Sequence, residues 1–119
     1  MIETLKERVN ADARLVHRAR FLSCHFLLGI GEENWLVRIH DGKVEDVAKG
    51  PFVMPHWSFA LRAPAEAWAQ FWSADPPPGF HDLFALIRFG RLKAEGDLQP
   101  FMANLFYFKG LLASLRAQA

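Results

Sequence analysis

Five histidines (His17, His25, His40, His56 and His81), one cysteine (Cys24) and four serines (Ser23, Ser58, Ser73 and Ser114) carry most of this sequence's capacity for acid–base, nucleophilic or metal chemistry. No two histidines show the four-residue helical spacing of a zinc pair, and none has the cysteine partnership of a zinc site, so no metal is expected. His56 and the pair His81-Asp82 each precede an apolar element and would offer a base with an orienting carboxylate. None of the serines sits in a nucleophile elbow, however. Asp82 is more simply a charge at a helix start, where the helix dipole favours it. No catalytic residue and no cofactor are expected, and the chain is not read as an enzyme.

Two groups of cations stand out. Lys109 falls near the centre of an apolar helical arc, where a charge is costly unless its end reaches water or an anion. It is either the partner of a ligand carboxylate or phosphate at a cavity mouth, or a side chain that snorkels to solvent where Gly110 breaks the helix. Arg14, Arg18 and Arg20, with His17, form a basic cluster able to touch an anionic membrane surface; such clusters are also ordinary solvated faces.

The elements that must position these residues follow from the apolar spacing. Thr4 and Glu7 form a capping box, and Leu5, Val9, Ala13 and Val16 draw one helical stripe, which Asn10 and Asp12 can divide into two helices. From Arg20 the period falls to two, with Leu22, Cys24, Phe26 and Leu28 on one side of a strand. Trp35, Val37 and Ile39 repeat the pattern, and Asp41-Gly42 before Lys43-Val44 marks a tight hairpin. A fourth strand holds Trp57, Phe59 and Leu61, so the sheet is expected to begin as consecutive antiparallel strands. Pro64 then opens a helix bearing Trp68, Phe71 and Trp72. The run Asp75-Pro76-Pro77-Pro78-Gly79 is a stiff connector. Phe80, Leu83, Phe84 and Ile87 predict a helix to Arg88, and Arg91 to Glu95 a short last strand. Asp97 is placed to cap a terminal helix whose stripe is Leu98, Phe101, Met102, Leu105, Phe108 and Leu112.

Composition narrows the function classes. The 119 residues suit one domain. The chain is 51% hydrophobic before its glycines are counted, above the about 45–50% usual with them included. Eleven phenylalanines and four tryptophans either fill a dense core or line a space for something greasy. A net charge of +1 is far from the basic balance of a phosphate-backbone binder, so nucleic acid is excluded as a partner. A lone cysteine suggests a reducing, cytoplasmic setting. Met1 leads into Ile2-Glu3-Thr4 without a signal-peptide apolar region, and no segment reaches the roughly 20 apolar residues of a membrane span. The Pro51 to Trp57 segment, with Pro55 and Trp57, is expected to form an apolar lip.

With the elements in this order, three motifs resemble the sterol carrier protein type 2 family. They are Trp35 to Ile39 leading into Asp41-Gly42-Lys43-Val44, then Trp68 on the helix after the fourth strand, then Gly90-Arg91-Leu92-Lys93-Ala94-Glu95-Gly96-Asp97 before the terminal helix. The last matches the family's glycine-bounded strand of the form G-x-L-x-x-x-G-D. The resemblance spans roughly residues 20 to 115.

What the resemblance implies is an α+β domain over residues 1–119. It has about five largely antiparallel strands, with helices packed on one face around an apolar tunnel. Its implied function is non-catalytic binding or carriage of a sterol, fatty acid or acyl chain. The alternative is a ligandless accessory module supporting a lipid-metabolising enzyme. An apolar tunnel suffices for carriage, since each buried methylene contributes about 0.8 kcal/mol. The expected ligand-binding wall is Phe84, Ile87 and Phe89 on the middle helix, and Phe101, Met102, Leu105, Phe106 and Phe108 on the last, with Lys109 at the mouth. The terminal helix, with Pro100, Phe101, Phe106, Tyr107 and Phe108, is bulkier than in many relatives, enough to fill a tunnel rather than line it.

Overall fold

The computed structural model describes residues 2–52 and 56–116. A 3-10 turn at Ile2–Thr4 leads into α1 (Leu5–Ala11) and α2 (Ala13–Arg18), which are separate helices because Asp12 leaves the helical region and accepts a hydrogen bond from Leu15 N. Asn10 does a different job from the one its position suggests. Its side chain donates to Val44 O at 3.0 Å and accepts from Val44 N at 2.8 Å, which pins α1 to an edge strand. The expected capping box is not formed. Thr4 is the N-cap residue but has helical angles (φ −87°, ψ −3°), and its side chain makes no cap hydrogen bond; capping needs the extended region.

Five strands follow in chain order: β1 (Cys24–Ile30), β2 (Glu33–His40), β3 (Lys43–Lys49), β4 (Phe59–Ala63) and β5 (Lys93–Gly96). Their order across the sheet is β3-β2-β1-β4-β5. Three pairings are antiparallel, but β4 runs parallel to β1, so the sheet is mixed and its fourth strand does not continue the meander. The reason lies in the connection. The two residues Asp41-Gly42 between β2 and β3 leave room only for an antiparallel hairpin, whereas the nine residues between β3 and β4 allow the chain to reach the free edge of β1.

Burial alternates along β2, whereas the inner strands β1 and β4 are buried on both faces, with Leu27 and Ala60 covered as well. Phe26, Leu28, Trp35, Val37, Ile39, Val44, Phe59 and Leu61 face the helices and join one apolar cluster. The intervening His25, Arg38, His40, Ser58 and Arg62 take the opposite face. Helices α3 (Ala65–Phe71) and α4 (Leu83–Arg88) precede β5, and α5 (Gln99–Ala103) and α6 (Leu105–Ala113) end the fold. The single terminal helix expected from the apolar stripe is therefore two. Asn104 breaks it at φ −126° and ψ 36°, its side chain donating to Pro100 O at 3.0 Å. Gly110 does not end α6, which continues to Ala113. Its missing side chain instead lets α2 approach, since a Cβ there would lie 2.8 Å from Leu15 Cδ1. Of the apolar lip expected at residues 51–57, Pro55 lies outside the described residues.

Two tryptophans lock helix to sheet and helix to helix. Trp68 Nε1 donates to Gly29 O and Trp72 Nε1 to Leu112 O, both at 2.8 Å and buried. Trp35 is the contrast, because its buried Nε1 makes no hydrogen bond among the described residues. Trp68→Phe and Trp35→Phe remove the same volume, but only the first breaks a bond. Trp68→Phe is expected to cost about 1 kcal/mol more than Trp35→Phe, read as the difference between their urea midpoints. Equal losses would mean that the Trp68–Gly29 bond contributes nothing net.

Candidate functional site

The space between sheet and terminal helices is occupied by aromatic rings. Phe26 and Phe59, neighbours across the β1–β4 pairing, stack at 5.3 Å. Phe108 from α6 meets them edge-on at 5.5 and 5.2 Å. Phe101 from α5 lies 5.5 Å from Phe59 and 5.7 Å from Phe108. The break at Asn104 lets both helices turn a ring inward, and all four rings are at most 1% exposed. Among the described residues no charged side chain is buried with them, and the polar group beside them is a phenol. Tyr107, the one phenol of the chain, sends its hydroxyl to Gly42 O at 2.8 Å, and burial holds its pKa well above the ordinary value.

The expected wall divides into an inner and an outer group. Phe101 and Phe108 are inside, and Ile87 and Leu105 are half-buried against the same cluster. Phe84, Met102, Phe89 and Phe106 are 38%, 51%, 60% and 69% exposed, so in this conformation they border solvent and not an internal space. Phe89 is the residue after α4, where the helix has ended.

Lys109 lies between the groups. Its Nζ is 3.2 Å from Asp82 Oδ2, 5.8 Å from the centre of the Phe84 ring and 5.4 Å from that of Phe106. Asp82 also accepts from Phe84 N through its other oxygen, at 3.1 Å, capping α4. One carboxylate thus fastens the start of α4 to the middle of α6. With side chains 28% and 46% exposed, the ion pair contributes no more than about 1 kcal/mol. Nothing in the sequence links Asp82 to Lys109, 27 positions away. Arg116 was equally silent: it donates to Phe71 O at 2.9 Å and His81 O at 3.0 Å, tying the chain's end to α3 and to the approach to α4.

The residues able to do chemistry are gathered elsewhere. His25, Arg38, His40, Glu45 and His56 line a groove of about 580 Å³ on the sheet's helix-free face. His56 stands edge-on to His25 at 6.2 Å, while Asp82 is held by Lys109 and Phe84 N, so the base and orienting carboxylate considered from sequence are engaged separately. Among the described residues no group of three or more His, Cys, Asp or Glu could hold a metal. Burial pushes the Cys24 thiol up to about 11, which keeps it protonated and a poor nucleophile at neutral pH. A second groove, about 380 Å³, has Ala67, Gln70, Phe80 and Arg91 on its wall. Neither groove reaches the inner rings. Among the described residues no helix is long and apolar enough to cross a membrane.

The sequence matches no protein-family model and no curated protein. Solved structures do match. A crystal structure of sterol carrier protein 2 superposes with a TM-score of 0.78 over 98% of this chain and 94% of its own, at 11% identity. UbiJ-SCP2, a ubiquinone synthesis protein, matches over 93% of this chain and 84% of its own, with a TM-score of 0.61 and 19% identity. Palmitated SCP2L2 from Aedes aegypti matches over 90% and 87%, with a TM-score of 0.56 and 20% identity. The backbone superposes along nearly the whole chain: by fold it is sterol carrier protein 2-like.

Proposed function

We propose that this domain binds a lipid with a long alkyl or acyl chain between the sheet and helices α4–α6, without covalent chemistry. The observation that carries the reading is the aromatic interior, where Phe26, Phe59, Phe101 and Phe108 meet and the one polar group beside them among the described residues, the Tyr107 hydroxyl, is spent on Gly42 O. Such a space suits a hydrocarbon chain and offers nothing to a polar substrate. The palmitated mosquito protein of like fold supports a fatty acyl ligand.

The rings touch one another, so a ligand enters by displacing Phe101 and Phe108 outward with α5 and α6. Ile87 and Leu105, already half-buried, would flank the chain. Lys109, paired with the partly exposed Asp82 carboxylate, would exchange it for a ligand carboxylate or phosphate. Burying sixteen carbons gains roughly 12 kcal/mol before association costs and ring displacement are subtracted, enough to leave measurable affinity.

The filled interior also favours a second reading, a ligandless module that supports a lipid-metabolising enzyme; the ubiquinone synthesis protein of like fold is the relevant comparison. Native mass spectrometry of protein taken from its host, followed by organic extraction, separates the two. A carrier is expected to release a lipid, and a module to release none. Lys109→Met is expected to weaken palmitate binding about ten-fold, as loss of a charge-assisted hydrogen bond does. Unchanged affinity would remove the head-group role and leave the apolar site standing.

A further inference from the structure

One donor in the interior stands unspent. Trp68 Nε1 donates to Gly29 O, Trp72 Nε1 to Leu112 O and the Tyr107 hydroxyl to Gly42 O, each at 2.8 Å. Among the described residues Trp35 Nε1 is the one buried side-chain N or O atom without a hydrogen bond, and Trp35 is only 7% exposed. A buried donor left unpaired is costly, and a phenylalanine at this position would fill the interior without one. A buried water is a weak partner for it, because such a water needs roughly two to four polar neighbours and Trp35 belongs to an apolar cluster.

The register sets this donor beside the proposed lipid site. On the helix side of the sheet Trp35 lies opposite Leu28, and the next pair on that face is Phe26 opposite Val37. Trp35 and Phe26 are thus diagonal neighbours, roughly 7–8 Å apart and within reach of an aromatic side chain. Phe26 is the ring that Phe108 meets edge-on at 5.5 Å. Displacing Phe108 outward with α6 therefore opens the interior next to Trp35. Toward the sheet edge the Lys49 ammonium lies 5.6 Å from the centre of the Trp35 ring, and Glu33 holds Lys49 in turn at 3.8 Å. A cation over the ring face steadies the indole while leaving its N–H, which lies in the ring plane, open to a partner.

Chemistry narrows the partner. Indole is a donor only, so the partner must bring a lone pair. A carboxylate does not fit, since a single hydrogen bond does not offset the burial of a charge; the acid group of a fatty acid belongs at Lys109. A hydroxyl fits less well than a ketone, ester or ether oxygen, because it brings a donor of its own that must find an acceptor. We propose that Trp35 is a specificity-determining residue, donating from Nε1 to a neutral carbonyl or ether oxygen set within the apolar part of the bound lipid. This selectivity rests on the lipid-binding reading above, and it narrows the ligand from any alkyl or acyl chain to a lipid whose hydrocarbon is interrupted by an acceptor oxygen.

Calorimetric titration of the full chain with stearate, with a series of oxostearates whose ketone is moved along the chain, and with the matching hydroxystearates tests this. Wild type is expected to bind at least one oxostearate about ten-fold tighter than stearate, the effect of one net hydrogen bond, and its hydroxy counterpart with a smaller gain. Trp35→Phe removes no hydrogen bond of the fold, and a cooperative unfolding transition would confirm that the variant is folded. It is expected to keep the wild-type affinity for stearate but to bind that same oxostearate about ten-fold more weakly than stearate, because the ketone is then buried unpaired. The infrared carbonyl stretch of the bound ketone is expected at lower frequency in wild type than in Trp35→Phe, a difference that a packing role alone would not produce. Wild type that binds stearate but no oxostearate more tightly overturns the role of Trp35 and leaves carriage standing. So does a gain, or a lowered stretch, that survives in Trp35→Phe. Wild type that binds none of these fatty acids overturns carriage and the selectivity together.

Discussion

Phe108→Ala is expected to lower the stability of the fold by about 3–5 kcal/mol, the cost of removing a fully buried phenylalanine, a fifth or more of the about 5–15 kcal/mol that a domain commonly has. Phe108 is 0% exposed. Its ring touches those of Phe26, Phe59, Phe101 and Tyr107 at 5.5, 5.2, 5.7 and 5.2 Å, so its loss unseats four partners at once. The cavity left behind is apolar and stays dry. It also lies where an alkyl chain is proposed to sit, which gives the substitution a second expected result. Palmitate should restore more stability to Phe108→Ala than it adds to wild type, because the variant has no ring to displace. At a free concentration one hundred times the dissociation constant the gain is about 2.7 kcal/mol. Guanidinium unfolding with and without palmitate measures both effects. A destabilised variant that palmitate does not rescue would place the ligand site away from the ring stack.

Gly42→Ala is expected to cost about 2–5 kcal/mol, from a left-handed backbone that disfavours a Cβ and from crowding. Asp41 and Gly42 have φ of 52° and 80°, the paired positive values of a two-residue hairpin turn. That alone makes glycine favourable at position 42. What raises the cost is tertiary: a Cβ there would stand 2.5 Å from Val16 O and 2.8 Å from Ala19 O at the end of α2. The same residue donates from its N to Leu22 O at 3.1 Å and accepts the Tyr107 hydroxyl through its O. Moving the turn to relieve the clash would therefore pull on α2, β1 and α6 together. Gly90→Ala is the control, since its φ is 73° but a Cβ there would meet nothing within 4 Å. Gly42→Ala is expected to melt at least about 8 °C below wild type, with Gly90→Ala showing only a fraction of that drop. Equal shifts would mean that the packing of the turn against α2 is unimportant.

The hairpin shows how far local pattern reaches. Alternation in Trp35, Val37 and Ile39 marks which side chains face the helices, and Asp41-Gly42 marks the turn, because pleat and positive φ are properties of a few adjacent residues. The break at Asn104 was not visible, since the apolar stripe through Phe101, Met102, Leu105 and Phe108 keeps helical spacing across it. The parallel β1–β4 pairing was hidden for another reason. A strand's own residues specify its two faces but not which edge it joins.

The candidate site divides in the same way. Phe101 and Phe108 were legible as apolar stripe residues, and their burial follows. Phe84 and Phe106 have equally apolar side chains at comparable helical positions, yet they stand outside, because which arc of a short, nearly all-apolar helix turns inward depends on its neighbours. Asp82 was legible as a charge at a helix start but not as its cap or as the partner of Lys109.

By itself the sequence determined the element types, the two faces of β1, β2 and β4, the hairpin turn and the apolar character of the interior, all of which rest on interactions among residues close in the chain. Tertiary structure alone decided that the rings close the interior, that four wall candidates face solvent, and that Arg18 of α2 and Lys109 of α6 flank Phe106. Those outcomes depend on how helices distant in sequence are placed against a common sheet, and period and composition carry no record of that placement.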